Sequence, residues 1–383
     1  MKFDPIDKNI KKIKGKRVFV RLDLNVPISK GKIKDEKKII AALPTIRYLL
    51  RYKTRLIIAT HLGRPEGKAN ARYSVKPIAK RLKSLLGGKV EYINDVCGEK
   101  ALKKAKQLKE GRALFIENLR FDKREKKNDK KFAKELAMMA DVYVNDAFSV
   151  AHRAHASVCA IKKFLPAFEG LLLISEIKNL DKINRPKRPL VVIMGGAKIK
   201  TKIALIKKLE PKASSILIGG ALANNFFKAR KMEIGESLVD KESIKIAKRS
   251  KSKKIILPID VVVKSRGKAV LKRLDEVGKK DKIFDIGPKT IKLYSGSIKK
   301  AKTLVWNGPL GLFEEDAYKH GTLSIAQAFA GRAKGPAFGV VGGGETIQAL
   351  KKAGVEDYID WVSTGGGAML AYLGGEKMPG LEK

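Results

Sequence analysis

LVVIMGGAKIKTKIAL, residues 190–205, reads as a buried strand, a tight glycine turn and an opening helix. The apolar run Leu190 to Met194 suits a strand covered on both faces, and Gly195-Gly196 let the chain turn with no side chain in the way. Lys198 and Lys202 follow at i and i+4, on one face of the helix. The same grammar recurs in SILI into Gly219-Gly220, LVW into Asn307-Gly308, FGVV into Gly342-Gly343-Gly344 and WVST into Gly365-Gly366-Gly367. A strand that feeds a glycine turn and then a helix aims bare backbone N–H groups at one edge of a parallel sheet. Such an edge binds phosphate.

The first half of the chain holds a different set of tools. Its strand ends and loops bear Asp23, Asn25, His61, Arg64, Arg120, Arg153 and His155, a mostly cationic group suited to a small polyanion. In RVFVRLDLNVP (17–27) a period of two places Arg21, Asp23 and Asn25 on one face and Val20, Leu22 and Leu24 on the other. IIATHLGRPEG (57–67), ENLRF (117–121) and NDAFSVAHRAHAS (145–157) deliver His61, Arg64, Arg120 and Arg153 just beyond strands. Three of the four histidines lie in these loops, yet their spacing matches no HExxH or Cys/His ligand set, so histidine metal ligation is not expected.

Apolar runs alternate with helix-period segments, the pattern of α/β units around parallel sheets. Strands are expected near 17–22, 55–60, 89–93, 112–116 and 141–145, then near 189–194, 214–218, 255–258, 302–306, 337–341 and 360–362. Helices are expected near 38–53, 75–86 and 130–140. The amphipathic stretch Leu171 to Ile183, ending in Arg185-Pro186-Lys187-Arg188-Pro189, marks the boundary between two halves. At 383 residues with 44% hydrophobic composition, the chain can bury two cores of ordinary size.

The net charge of +44 makes nucleic acid the first partner to consider. An aromatic content of 7% and the absence of an RNP, helix-turn-helix or zinc-finger signature leave no recognition device, so no specific nucleic-acid partner is expected. The same field draws in anionic metabolites. Only Cys97 and Cys159 are present, which suits a reducing cytoplasm, and no apolar stretch approaches the length of a bilayer span. No GxxxxGK[ST] and no GxGxxG occurs, which disfavours a P-loop NTPase and an ordinary dinucleotide site.

In this order, RLDLNVP, ALPTI, HLGRP, ENLRF, NDAF with AHRAHAS, GGAK, PID, DIGP, WNGPLGLFE, GGGET and STGGGA resemble the phosphoglycerate kinase family, from about residue 15 to residue 380. The resemblance implies an α/β fold of two Rossmann-like three-layer domains with parallel sheets, joined by a helix and hinge. It implies a phosphoglycerate-binding domain at 1–170, with 370–383 returning to it, a helix and hinge at 171–189, and a nucleotide-binding domain at 190–369. The implied activity is reversible, Mg²⁺-dependent, in-line phosphoryl transfer between 1,3-bisphosphoglycerate and ADP after hinge closure, giving 3-phosphoglycerate and ATP. It also implies a cytoplasmic glycolytic enzyme, monomer or homodimer, with no membrane partner.

By motif match, Asp23, Asn25, Lys38, His61, Arg64, Arg120 and Arg153 would hold the phosphoglycerate. Gly195, Ala197, Lys198, Lys202, Gly219, Gly220, Gly308, Pro309, Gly311, Glu314, Gly343, Gly344, Glu345 and Thr346 would line the nucleotide site. Lys38, Lys198, Gly366 and Gly367 would act on the transferring phosphoryl group, and Glu345 would hold the Mg²⁺ that arrives with ATP or ADP. Three positions depart from the family pattern. Lys38 stands for the family's catalytic arginine, keeping the charge but losing the bidentate fork. Glu345 stands for its metal-binding aspartate, and Thr201 for the aspartate after the GGAK turn.

Overall fold

The structure is a computed structural model that describes residues 3–197, 199–250 and 252–382. Its contacts divide the chain into two compact units, Met1–Ile177 with Lys377–Lys383, and Lys178–Glu376.

In the first unit the apolar runs become β1 (Arg17–Leu22), β2 (Arg55–Ala59), β3 (Val90–Tyr92), β4 (Ala113–Phe115), β5 (Val142–Asp146) and β6 (Ala167–Glu169). They form one parallel sheet in the order β3-β4-β2-β1-β5-β6. Alternation along a strand splits its side chains between two cores. Val18, Val20 and Leu22 pack with residues of the helices Ile6–Ile13, Lys37–Arg51 and Lys76–Leu85, whereas Phe19 packs with those of Glu99–Gln107 and Lys130–Ala137. The sheet is therefore the middle of three layers. Each fully buried Val, Leu or Ile favours this arrangement by roughly 1.5–3 kcal/mol over exposure.

In the second unit β7 (Leu190–Met194), β8 (Ser215–Ile218) and β9 (Ile255–Ile256) precede β10 (Asp260–Ser265), β11 (Lys268–Arg273) and β12 (Lys282–Ile286). β13 (Thr303–Asn307), β14 (Phe338–Gly342) and β15 (Trp361–Ser363) follow. The parallel sheet runs β9-β8-β7-β13-β14-β15. Its neighbours β7 and β13 are the strands at which the winding reverses, so the loops beyond their carboxyl ends diverge and leave a crevice. Trp306 and Phe329 anchor a core on one face, their ring centroids 5.8 Å apart. The helices Ile199–Leu209 and Gly367–Gly374 pack on each other within this unit.

The expected parallel strands are all present. β10, β11 and β12 were not among them; they form a separate antiparallel sheet, inserted between β9 and β13. β6 was likewise unforeseen, being three residues long. Among the described residues, no helix is long and apolar enough to cross a membrane.

Candidate active site

Because every pairing in the first sheet is parallel, the residues beyond β1, β2, β4 and β5 emerge along one edge. Asp23 and Asn25 follow β1, His61 and Arg64 follow β2, Arg120 follows β4, and Arg153 and His155 follow β5. Side-chain amides knit these loops together. Asn25 Oδ1 accepts from Gly63 N at 3.0 Å, and the Arg120 guanidinium donates through Nη1 to Gly63 O at 2.7 Å. Asn118 Oδ1 accepts from both Leu62 N and Arg120 N, at 3.2 and 3.0 Å.

Beneath them lies a buried ionic network. Arg21 and Glu125 are both fully buried. Arg21 Nε donates to Ser157 Oγ at 3.1 Å, and Ser157 Oγ donates to Glu125 Oε1 at 2.6 Å. Arg21 Nη2 lies 2.9 Å from His61 Nδ1. A guanidinium can only donate, so His61 Nδ1 accepts and its remaining proton sits on Nε2. Burial, then the charges of Arg21 and Arg120, hold His61 well below the usual imidazole range.

Arg120 is buried, and its Nε has no hydrogen-bond partner among the described residues. Burial first, then the neighbouring Arg21 and Arg153, pull its guanidinium down to about 10, with Arg64 adding to the effect. Arginines thus converge with too little negative charge to balance them, a cradle for an anion. Asp23 is the exception: burial alone would raise its carboxyl, but Lys38 Nζ at 2.6 Å outweighs that and holds it below the usual range. Lys38 therefore has an acidic partner, while Arg64 and Arg153 are exposed.

Burial, followed by nearby guanidinium groups, also lowers His155 to about 3 and His152 to about 4. The unfolded chain takes up these protons near the ordinary value of 6.5, whereas the folded chain does not. The contribution of these two imidazoles to folding stability is thus whole above about pH 6.5 and is lost as pH falls towards about 4, while the buried Asp146 and Asp285 carboxyls, each raised to about 7, contribute in the opposite direction. Urea midpoints measured between about pH 7.5 and about pH 4.5 should fall further in the parent than in a variant carrying both His152→Gln and His155→Gln, and parallel profiles would show that these imidazoles accept protons in the fold.

The second unit builds its edge from backbone. Gly195 N donates to Asn307 O at 3.1 Å, Gly196 N to Pro309 O at 2.6 Å and Gly220 N to Leu310 O at 2.9 Å. Thr346 Oγ1 accepts from Gly308 N at 2.7 Å, and Asn307 Nδ2 donates to Gly342 O at 2.7 Å. Thr346, expected in the lining of the nucleotide site, ties one glycine turn to another. The buried Lys202 ammonium donates back to the Gly195 carbonyl. Lys198 lies outside the described residues.

These turns close one side of a cavity of about 240 Å³ whose wall includes Gly196, Ala197, Gly220, Pro309, Gly311, Glu314 and Glu345. Its lining also includes the apolar side chains of Phe227, Leu238, Pro258, Val261, Ile283 and Leu312. Glycine turns beside apolar lining suit a ligand that is apolar at one part and anionic at another. Glu345 is exposed in the first turn of the helix Gly344–Lys352. Gly219 packs at the same edge, against Leu310. Gly343 takes a φ of +98° and Gly366 one of +52°, each immediately before a helix, with Gly367 opening the second.

Sequence reasoning missed Glu125 and Ser157, for which the buried charge at Arg21 within an apolar strand is the only signal. It also missed Asp285, whose carboxylate accepts from Gly321 N at 2.7 Å and Ile286 N at 2.9 Å. Burial raises that carboxyl to about 7, offset in part by those two backbone donors. Asp285 in DIGP reads as a strand-end residue, and nothing local announces its burial.

Residues 8–376 match the family model described as phosphoglycerate kinase. Curated relatives named phosphoglycerate kinase from Moorella thermoacetica and Pelotomaculum thermopropionicum are 44% and 42% identical, each alignment covering 96% of both chains. The solved phosphoglycerate kinase of Coxiella burnetii aligns with a TM-score of 0.85 at 39% identity, over 96% of each chain. That of Pyrococcus horikoshii aligns at 0.86 and 33%, over 99% of this chain and 98% of the other. With its two six-stranded parallel sheets, cationic edge and glycine-lined cavity, the chain belongs to the phosphoglycerate kinase family.

Proposed function

We propose that the first unit's cradle holds 3-phosphoglycerate or 1,3-bisphosphoglycerate and that the second unit's glycine edge holds ADP or ATP, the enzyme passing a phosphoryl group between them. The observation that supports this most is Arg120: a buried guanidinium with an unpartnered Nε, among further arginines, has its charge balanced by an incoming phosphate or carboxylate. Asp23, Asn25, Lys38, His61, Arg64 and Arg153 surround the same anion, His61 offering its Nε2 proton. The acceptor carboxylate is already ionised at neutral pH, so the transfer is direct and needs no general base.

Alignment and charge neutralisation then do the chemistry. Lys38 and Lys198 are the ammonium groups assigned to it, with the backbone at Gly366 and Gly367. Gly195, Ala197, Gly219, Gly220, Gly308, Pro309 and Gly311 let the nucleotide approach bare backbone, and Glu314 reaches for its ribose. Among the described residues no set of three His, Cys, Asp or Glu side chains is placed to hold a metal. The exposed Glu345 carboxylate, in the first turn of the helix Gly344–Lys352, fits Mg²⁺ carried in on the nucleotide phosphates. When bound, Mg²⁺ neutralises charge on the phosphate oxygens. The proposal is of a cytoplasmic, glycolytic enzyme without a specific nucleic-acid or membrane partner.

A coupled assay of ATP formation from 1,3-bisphosphoglycerate and ADP tests this directly, and no turnover would reject it. Arg64→Ala and Arg153→Ala remove exposed side chains and should leave the fold intact. Each is expected to raise KM for the phosphoglycerate by roughly 10- to 100-fold while KM for ADP stays put. If the two KM values move together, the division of substrates between the units is wrong.

A further inference from the structure

Beyond β13 the chain runs Gly308-Pro309-Leu310-Gly311, and the last three of these residues line the nucleotide cavity. Two of their carbonyls hold the glycine turns. Pro309 O accepts from Gly196 N at 2.6 Å, and Leu310 O accepts from Gly220 N at 2.9 Å. The N–H groups of the same segment go to threonines. Thr346 Oγ1 accepts from Gly308 N at 2.7 Å, and Thr322 Oγ1 accepts from both Leu310 N at 3.0 Å and Gly311 N at 2.9 Å. Proline has no N–H, so every backbone donor of the segment ends on one of two hydroxyls.

Thr322 is fully buried, in the first turn of the helix His320–Ala333. That turn is itself anchored: Asp285 accepts from Gly321 N at 2.7 Å, and a Cβ on either Gly311 or Gly321 would strike Asp285 Oδ1. A hydroxyl oxygen has two acceptor sites, and in Thr322 both are taken. Removing that oxygen leaves two buried N–H groups bare at once, each disfavouring the present loop by roughly tenfold or more. The loop then shifts to recover acceptors, and the carbonyls that hold Gly196 and Gly220 move with it.

We propose that Thr322 is a positioning residue for nucleotide binding. It touches no ligand, but its one oxygen sets where residues 308–311, and through them the turns at Gly196 and Gly220, meet the diphosphate. The inference rests on the nucleotide reading of this cavity and deepens it. It also means that the Leu310 and Gly311 N–H groups do not bind phosphate, since Thr322 already holds both.

The test is steady-state turnover of 1,3-bisphosphoglycerate and ADP by the full chain, with amide hydrogen exchange beside it. Thr322→Val keeps the shape of the side chain and removes the oxygen. It should raise KM for ADP by roughly 10- to 100-fold while KM for 1,3-bisphosphoglycerate stays within about twofold. Thr322→Ser returns the oxygen and should bring KM for ADP to within about threefold of the parent, although its urea midpoint falls with the lost methyl. In the parent without nucleotide, the Leu310 and Gly311 amides should exchange at least about 100-fold more slowly than those of an unfolded chain. Exchange of these two amides at the unfolded rate overturns the assignment even if neither variant folds. So does a folded valine variant with the parent's KM for ADP, or a serine variant as impaired as the valine one. If the parent itself neither binds nor turns over ADP, the nucleotide reading falls and the assignment with it, whereas a failure confined to the variants leaves that reading standing.

Discussion

Gly195→Ala is expected to weaken ADP binding by at least about 100-fold and to destabilise the second unit by roughly 1–3 kcal/mol. A Cβ at this position would lie 2.0 Å from Pro309 O, 2.7 Å from Pro309 C and 2.9 Å from Gly308 O. All three are backbone atoms, so no rotamer change relieves the clash. The Pro309 carbonyl is also held in place by Gly196 N at 2.6 Å, and Gly195 N itself donates to Asn307 O at 3.1 Å. The two loops at the reversal of the sheet must therefore move apart, and with them the edge that receives the phosphates. Gly331→Ala is the contrast. It lies within the helix His320–Ala333 with nothing inside 4 Å of the added Cβ, and it should stabilise by roughly 0.5–1 kcal/mol. Calorimetry with ADP and urea titrations followed by tryptophan fluorescence separate the cases, since Trp306 and Trp361 both lie in the second unit. Parent-like ADP affinity in Gly195→Ala would mean that the glycine edge is not the phosphate site.

That edge was legible because its signal is local: an apolar run and a glycine at its end need no tertiary context. The central strands followed for the same reason, β2, β7, β8 and β13 being buried on both faces and so almost continuously apolar. β11 escaped because the strand itself is exposed. Lys268 to Leu271 are all solvent-facing, and its short apolar run Ala269-Val270-Leu271, bracketed by Lys268 and Lys272, reads as readily as a loop. Asp285 escaped, and the bond from Gly308 N to Thr346 went unread, for a different reason. Their roles are set by which loop lies opposite in space, and Gly308 and Gly321 are 38 and 36 residues away. On the cationic side, the residue types announced an anion site, but whether each charge is free or paired was invisible. Lys38 shows the difference, being drawn to Asp23 at 2.6 Å while Arg120 keeps an unpartnered Nε.

The same distinction makes Glu125 the residue whose loss should cost the first unit most. Its carboxylate is fully buried, accepting from Ser157 N at 2.9 Å and from Ser157 Oγ at 2.6 Å. Burial pushes the Glu125 carboxyl up and the Arg21 guanidinium down, and each charge opposes the other's shift. Neither ion is at ease in the interior alone, so removing one leaves the other uncompensated. Glu125→Ala is expected to destabilise by about 3–5 kcal/mol, with Glu125→Gln losing less because an amide oxygen still accepts from Ser157. Arg21 holds His61 through Nη2 at 2.9 Å, so the damage should reach the anion cradle and raise KM for the phosphoglycerate as well. Hydrogen exchange at the amides of β1, together with urea titrations followed by circular dichroism, measures the loss. A midpoint for Glu125→Ala within about 0.5 kcal/mol of the parent would show that Arg21 is stable without its counterion, and that the cradle's charge balance is set elsewhere.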